Sequence, residues 1–405
     1  MLKNILRKRF FPQIILILLA NGLLVVAASY ASIKSADNQP IVIGMSTALT
    51  GAAQAIGQDV KRGVEIYFAK VNAAGGINGR PLELLALDDQ YEPVLAGQNM
   101  RILTQNPEVL AVIGNVGTPT SIVTIPIANE QHILLFAPFT GANAARKVPP
   151  DRYVINLRAS YEEETTAMIN GLLSIGIKPE EMAFFLQNDS YGDSGYQGAI
   201  KALKKAGYVN LEKIPIARYS RNTLNIERGL SILLDTSTPP KAIIIVGAYA
   251  PSAKFTILAK KEFPNALFLN VSFVGSMALL HALGNNSENI IVTQVVPSLD
   301  SNEPAISDYR NDLKKYGAGA APYFGSLEGY LDAKLFVIGL LEAAAKNKLD
   351  REGIIDTFEQ MQNVDIGISE KITLDKYHHQ ALNKVWPTII KNGKFLPLNW
   401  LELKH

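Results

Sequence analysis

Cysteine is absent from all 405 residues, which excludes disulfides, thiolate metal sites, cysteine nucleophiles and a lipid-modified N-terminal cysteine. The absence leaves the compartment open, since a chain of this size folds without disulfides. Clustered basic residues are also missing beyond the first ten positions, and the formal net charge is only +2. Nucleic acid is therefore not an expected partner, because neutralising phosphates takes grouped Lys and Arg. Catalytic signatures are equally scarce: no Gly-x-Ser-x-Gly elbow, no His-Glu-x-x-His, no glycine-rich loop ending in Gly-Lys-Ser/Thr. The stretch from Gly317 to Pro322 lacks the third glycine of a dinucleotide fingerprint and has no apolar strand before it. Histidines number five, and the adjacent pair His378 and His379 cannot both face one site from a strand; a solvated turn is expected there. Asp88 and Asp89 end a strand, where adjacent acids cap a helix or pair with bases more often than they catalyse. No enzyme activity, metal or cofactor is expected.

What is present is apolar and regular. Hydrophobic residues make up 48% of the chain and charged residues 19%, enough for a core in each of two domains. The first 31 residues stand apart. Lys3, Arg7, Lys8 and Arg9 precede an apolar run over residues 10–28, and Ser29-Tyr30-Ala31 follows. That order reads as a secretory signal cleaved after Ala31, or as an uncleaved anchor, although Pro12, Gln13 and Asn21 weaken a membrane span. Either way the remainder is expected in the periplasm or otherwise outside the cytoplasm, beyond a linker over 32–40.

From there apolar strands alternate with helical patterns. Strands are expected at 41–45, 82–87, 109–113 and 133–136, with helices at 57–72, 93–105 and 118–131. Continuous apolar strands between helices predict a parallel sheet buried on both faces, wound by right-handed crossovers. A second series repeats this plan: strands at 182–187, 211–216, 242–246 and 266–271, helices at 162–175, 195–206, 226–234 and 252–262. Further helices are expected at 306–316, 327–345 and 351–361. Near the end, Asn392-Gly393 between two apolar runs predicts a hairpin. The fold class is α/β, with two doubly wound halves and a mixed tail.

In open α/β sheets a ligand binds beyond the carboxyl ends of the strands. Four loops fall there. Residues 49–57 follow the first strand, and Gly114 to Ser121 follow the third. The hydroxyls and free N–H groups of the latter suit an anion, or else Thr118 merely caps a helix that has Pro119 at its first position. Residues 137–142 offer Thr140, and residues 189–195 carry Tyr191.

These loops bring a resemblance. Ile41-Val-Ile-Gly with the following Leu-Thr-Gly, the run from Val71 to Pro81, Leu87-Asp-Asp-Gln-Tyr-Glu-Pro, Val112-Ile-Gly, Asp189-Ser-Tyr-Gly and Val246-Gly-Ala-Tyr occur in order over residues 41–395. In that order and spacing the chain resembles the periplasmic leucine/isoleucine/valine-binding protein family, the substrate-binding components of ABC transporters with the type I periplasmic-binding fold. The resemblance implies two lobes, 41–157 with 296–365 and 158–295 with 375–405. A three-segment hinge would join them, crossing near Leu157, near Val295 and between Asp365 and Leu374. It also implies a monomer that captures a small polar ligand, a branched-chain or other aliphatic amino acid or a related carboxylate or amide, by hinge closure and delivers it to a membrane permease. Thr118 and the loop Phe139-Thr140-Gly141 match positions that bind carboxylate and ammonium. Tyr191 and Tyr249 match second-lobe aromatics, and Ile56 an apolar side-chain contact.

One position departs from the family. Where its amino-acid binders place an acid for the ligand ammonium, this chain has Ser272. A desolvated ammonium without a carboxylate costs several kcal/mol, so Glu328 or Asp89 is the expected substitute, or the ligand is not an ordinary α-amino acid. Arg158 could pair with a ligand carboxylate, or with Glu162 or Glu163 as a hinge salt bridge. A ligand-sensing domain that partners a signalling protein is the competing reading, since one fold serves both roles. Neighbouring permease and ATPase genes would favour transport; a neighbouring kinase gene would favour sensing.

Overall fold

Strand β1 (Ile41–Thr47) is buried along its whole length, and its side chains divide by period two. Ile41, Ile43 and Met45 pack with Val60 and Val64, while Val42 packs with Met100, Leu103 and Ile125 on the opposite face. That two-sided burial is why the run is apolar throughout rather than alternating. The computed structural model describes residues 39–404; the expected signal or anchor over 1–31 lies outside them. With β2 (Leu82–Asp88), β3 (Val109–Ile113), β4 (Leu135–Phe136) and β5 (Val154–Ile155), the first strand builds a parallel sheet in the order β2-β1-β3-β4-β5. Helices α1 (Gln54–Ala73), α2 (Pro93–Gln105) and α3 (Thr118–Glu130) are its crossovers.

The chain then passes through residues 156–160 into α4 (Tyr161–Ser174), whose start is a complete capping box between Ser160 and Glu163. Next come β6 (Met182–Gln187), α5 (Ser190–Lys205), β7 (Ile216–Tyr219), α6 (Glu227–Leu234), β8 (Ala242–Val246), α7 (Tyr249–Glu262), β9 (Leu267–Asn270), α8 (Ser276–Leu283) and β10 (Ile290–Gln294). The strand expected at 211–216 starts only at Ile216. Leu211 and Ile214 are buried in a turn instead, with Ile214 N–H donating to Leu211 O, and the pairing with β6 begins beyond Pro215. Proline interrupts a ladder, so the apolar residues before it anchor the loop.

A second passage, 295–303, returns the chain to the first lobe for α9 (Pro304–Tyr316), α10 (Phe324–Ala345), α11 (Arg351–Phe358) and the short hairpin of β11 (Val364–Asp365) and β12 (Lys371–Ile372). Helix α10 lies directly on α1. A Cβ built on Gly63 would stand 2.0 Å from Ser326 O, and one on Gly329 2.3 Å from Val60 O. The third passage corrects the expected one. Leu374 N–H still bonds Met361 O in the first lobe, and the crossing runs later, through 375–385. There it lies beside the first passage: Asn156 N–H donates to His379 O and Leu382 N–H to Leu157 O.

Strands β13 (Trp386–Lys391) and β14 (Lys394–Pro397) then complete a seven-stranded sheet, β14-β13-β10-β9-β8-β6-β7. They are its antiparallel edge, joined at Asn392 and Gly393, both with positive φ. His378 is exposed in a turn, paired with Asp375. Its neighbour does not share that environment: His379 is buried, its Nδ1 2.9 Å from Val154 O and its Nε2 3.3 Å from Glu359. Among the described residues no helix is long and apolar enough to cross a membrane.

Candidate functional site

Loops after the parallel strands of the two sheets meet in a single cleft: Phe139 and Tyr91 of the first lobe lie against Phe273 of the second. From the first lobe, Gly117 (φ 111°) caps α3 and Thr118 is already helical. The capping reading of Thr118 therefore falls. Its hydroxyl lies 2.7 Å from that of Thr140, which is 3.5 Å from the Tyr161 hydroxyl. These three form a buried polar shelf. Gly141 lies against Tyr161, its carbonyl accepting from Tyr161 N–H at 2.7 Å, and a Cβ there would come within 2.6 Å of that nitrogen.

From the second lobe, α5 begins five residues earlier than expected because the Asp189 side chain accepts from Tyr191 N–H. The cap turns Tyr191 inward, where its ring lies 5.3 Å from that of Tyr161 and its hydroxyl donates to Gly247 O. Tyr249 likewise opens α7, half-buried, with its ring beside Gly275. Ile56 packs on Gly275: a Cβ on that glycine would stand 3.0 Å from the Ile56 side chain. Thr118 and Tyr191 thus face each other through Tyr161.

The charged end of the cleft is built on the first passage. Arg158 is 2% exposed, with its guanidinium 4.4 Å over the Phe139 ring. Its Nη2 donates to Ser272 Oγ, and Ser272 Oγ and N–H both donate to Glu164, which also accepts from Thr293. Arg158 Nε lies 3.4 Å from Glu328 and its Nη2 3.8 Å from Glu164. The expected partners are engaged elsewhere, Glu162 with Lys201 and Glu163 in the capping box. Arg158 Nε and Nη1 carry no hydrogen bond, nor does either carboxyl oxygen of buried Asp332, one turn along α10 from Glu328. Burial pushes the Glu328 carboxyl up to about 7 against the pull of Arg158, and it raises Asp332 well above the usual range with Glu328 adding to it.

About 20 Å³ remains open here, bounded by Ile56, Phe139, Ser272, Gly275, Gln294 and Glu328 among others. Of the two candidate acids, Glu328 lines this space. Asp89 does not: its oxygens accept from Ser46 Oγ and Tyr91 N–H inside the first lobe. Asp88 binds the backbone of Leu49, so the pair fastens loops and caps no helix. At the cleft mouth the lobes touch again. Arg221 pairs with Glu92 at 2.9 Å, Asn222 donates to Glu92 at 2.7 Å, and Gln187 donates to the Tyr91 hydroxyl at 3.1 Å.

Glu164, Tyr161, Phe273 and Asp332 were not singled out from the sequence. Glu164 hides among three successive acids at a helix start, where the dipole alone explains them. Its signal was periodicity: Tyr161, Glu164, Thr165, Met168 and Leu172 form one buried face. Asp332 is a buried acid in a largely apolar helix, one turn beyond Glu328.

Known proteins share this fold. A family model described as periplasmic binding protein matches residues 40–394. The chain is 43% identical to a possible leucine/isoleucine/valine-binding protein from Rhodopirellula baltica SH 1, with a TM-score of 0.86 over 91% of this chain and 98% of that one. It is 37% identical over 100 residues to a Leu/Ile/Val-binding protein homolog 2 of Brucella abortus, 25% of this chain and 27% of that protein. It is 30% identical over 193 residues to an amino acid binding protein of Pseudomonas aeruginosa, 47% of this chain and 50% of that protein. These curated matches span half or less of the relatives' length, whereas the family model and the solved structure run nearly end to end. The family model covers most of the chain, and the chain belongs to the periplasmic binding protein family.

Proposed function

We propose that the protein is the extracytoplasmic solute-binding component of an ABC importer. It captures a small polar solute, an aliphatic amino acid or a related carboxylate or amide, by closing its lobes about the three passages. No chemistry on the solute is part of this reading; the family is one of binding proteins. Its location outside the cytoplasm follows the family, and residues 1–31 would supply export. A membrane permease would receive the solute from a single closed copy of the chain.

The observation that carries the reading is the line Arg158–Ser272–Glu164 beside Glu328. It joins the first passage, the second lobe and α10 of the first lobe around one gap. Unpartnered donors on a fully buried guanidinium cost free energy unless something else accepts from them. A solute carboxylate or amide oxygen would accept from Arg158, and a solute ammonium would be received by Glu328 in place of the acid that Ser272 replaces. Thr118, Phe139, Thr140 and Gly141 would wall the first-lobe side, and Tyr191, Tyr249 and Ile56 would close over the solute.

The test is thermal denaturation with a panel of amino acids, small carboxylates and amides. A ligand bound only by the native form raises Tm by mass action, by the equivalent of about 2.7 kcal/mol at a hundredfold excess over Kd. Mass spectrometry of small molecules co-purifying with the protein identifies the solute independently. A flat response across the panel, with nothing co-purified, overturns the reading.

A further inference from the structure

Ser272, Phe273, Val274 and Gly275 form the turn after β9, and their side chains part company. Val274 packs into the second lobe's own core with Phe268 and Val292, whereas Phe273 packs into the cluster that runs between the lobes. Its ring is fully buried, 4.7 Å from Tyr191 of its own lobe, 5.7 Å from Phe139 and 5.9 Å from Tyr91 of the other. Tyr91 in turn presses on Gly117, the residue before Thr118, where a Cβ would come within 2.3 Å of the ring. Phe273 therefore stands among the aromatic residues that surround the Thr118–Thr140–Tyr161 shelf, beside the charged line at Arg158.

The turn that carries it is tied down. Ser272 is held through its N–H and hydroxyl by Glu164, and Gly275 (φ 80°) packs on Ile56. The second lobe thus carries the ring, which stands between the two lobes.

We propose that Phe273 sets the size of the solute: on closure its ring takes a phenyl-sized share of the cleft, and the solute's side chain is confined to what is left beside Ile56 and Gly275. This rests on the reading of the cleft as a solute site. In wild type, compact amino acids are therefore favoured over bulky ones, and removing the ring extends the range upward. Filling or emptying an apolar pocket by a methylene or more changes discrimination by roughly tenfold or above.

The experiment is isothermal titration of wild type, Phe273→Ala and Phe273→Leu with L-alanine and L-leucine, each protein first checked for native circular dichroism. Affinity for leucine relative to alanine should rise roughly tenfold in Phe273→Ala and less in Phe273→Leu, which keeps most of the apolar volume. The ratio is the readout because a general loss of stability moves both affinities together. Binding with an unchanged ratio in the folded variants overturns the role of Phe273 and leaves the cleft standing. Absence of binding to either amino acid by all three proteins overturns this inference, and a flat response to the whole solute panel with nothing co-purified overturns the cleft reading as well.

Discussion

Arg158 shows how one residue can carry opposite contributions. Its guanidinium is buried with acids on two sides, so removing it by Arg158→Met would strand Glu328 and Glu164 and cost about 3–5 kcal/mol, read from a urea midpoint. A loss under about 1 kcal/mol would show that the acids were already protonated and the ion pair incidental. The same acids give a pH dependence. Glu328, at about 7, and Asp332 both have folded values above their unfolded ones, so the folded protein holds their protons more tightly. The Glu328 contribution to stability is present in acid and lost as pH climbs through about 7, and the Asp332 contribution is lost in the same direction. Tm should rise as pH falls from about 8 to about 5.5, and Glu328→Gln should flatten that slope. Thr118→Ala removes one hydroxyl partner of Thr140 at a stability cost of about 1 kcal/mol, and should weaken solute binding far more visibly than it lowers Tm.

Among the elements, α1 and α10 are the pair on which the first lobe depends. Gly63 and Gly329 let the two backbones approach closer than side chains allow, and α10 carries Glu328 and Asp332 on the stretch so positioned. Gly63→Ala should force the helices apart at a cost of about 1–3 kcal/mol, and by moving Glu328 it should weaken solute binding as well. Equilibrium unfolding and titration on the same preparation check both; a variant destabilised but binding normally would show that α10 does not position the acid. Helix starts matter in the same way. Asp189 caps α5 so that Tyr191 points into the cleft, and the glycine before Thr118 leaves its hydroxyl for Thr140.

At the scale of the whole molecule, the proposed function requires a balance between open and closed lobes. On the proposed reading, closure would bury aromatic surface around Phe273 and add the contacts of Glu92 with Arg221 and Asn222 at the mouth. Those mouth groups remain partly exposed, so the ion pair is worth about 1 kcal/mol at most. Glu92→Ala should shift the ligand-free protein toward the open form by roughly fivefold, seen as a larger radius of gyration by small-angle X-ray scattering and restored by solute. An unchanged radius would place the closing energy in the cleft itself.

Much of this was legible in the residues alone. Apolar strands at regular intervals prescribe two parallel sheets, because a strand covered on both faces must be apolar at every position. Strand-end loops then mark where a cleft must lie, and Thr118 and Tyr191 fall there by position, while Tyr249 and Glu328 came from the family resemblance. The terminal hairpin was equally local, since Asn392-Gly393 supplies the positive φ that a two-residue turn demands. The strand at Ile216 was misplaced because burial of Leu211 and Ile214 in a turn produces the same apolar run as a strand. What only tertiary structure settled is which charges meet. Glu164, Arg158 and Glu328 are separated by as much as 170 positions along the chain. Periodicity reports that a side chain faces inward; it does not report whether a counter-charge, a solute or another lobe's phenyl ring is waiting there.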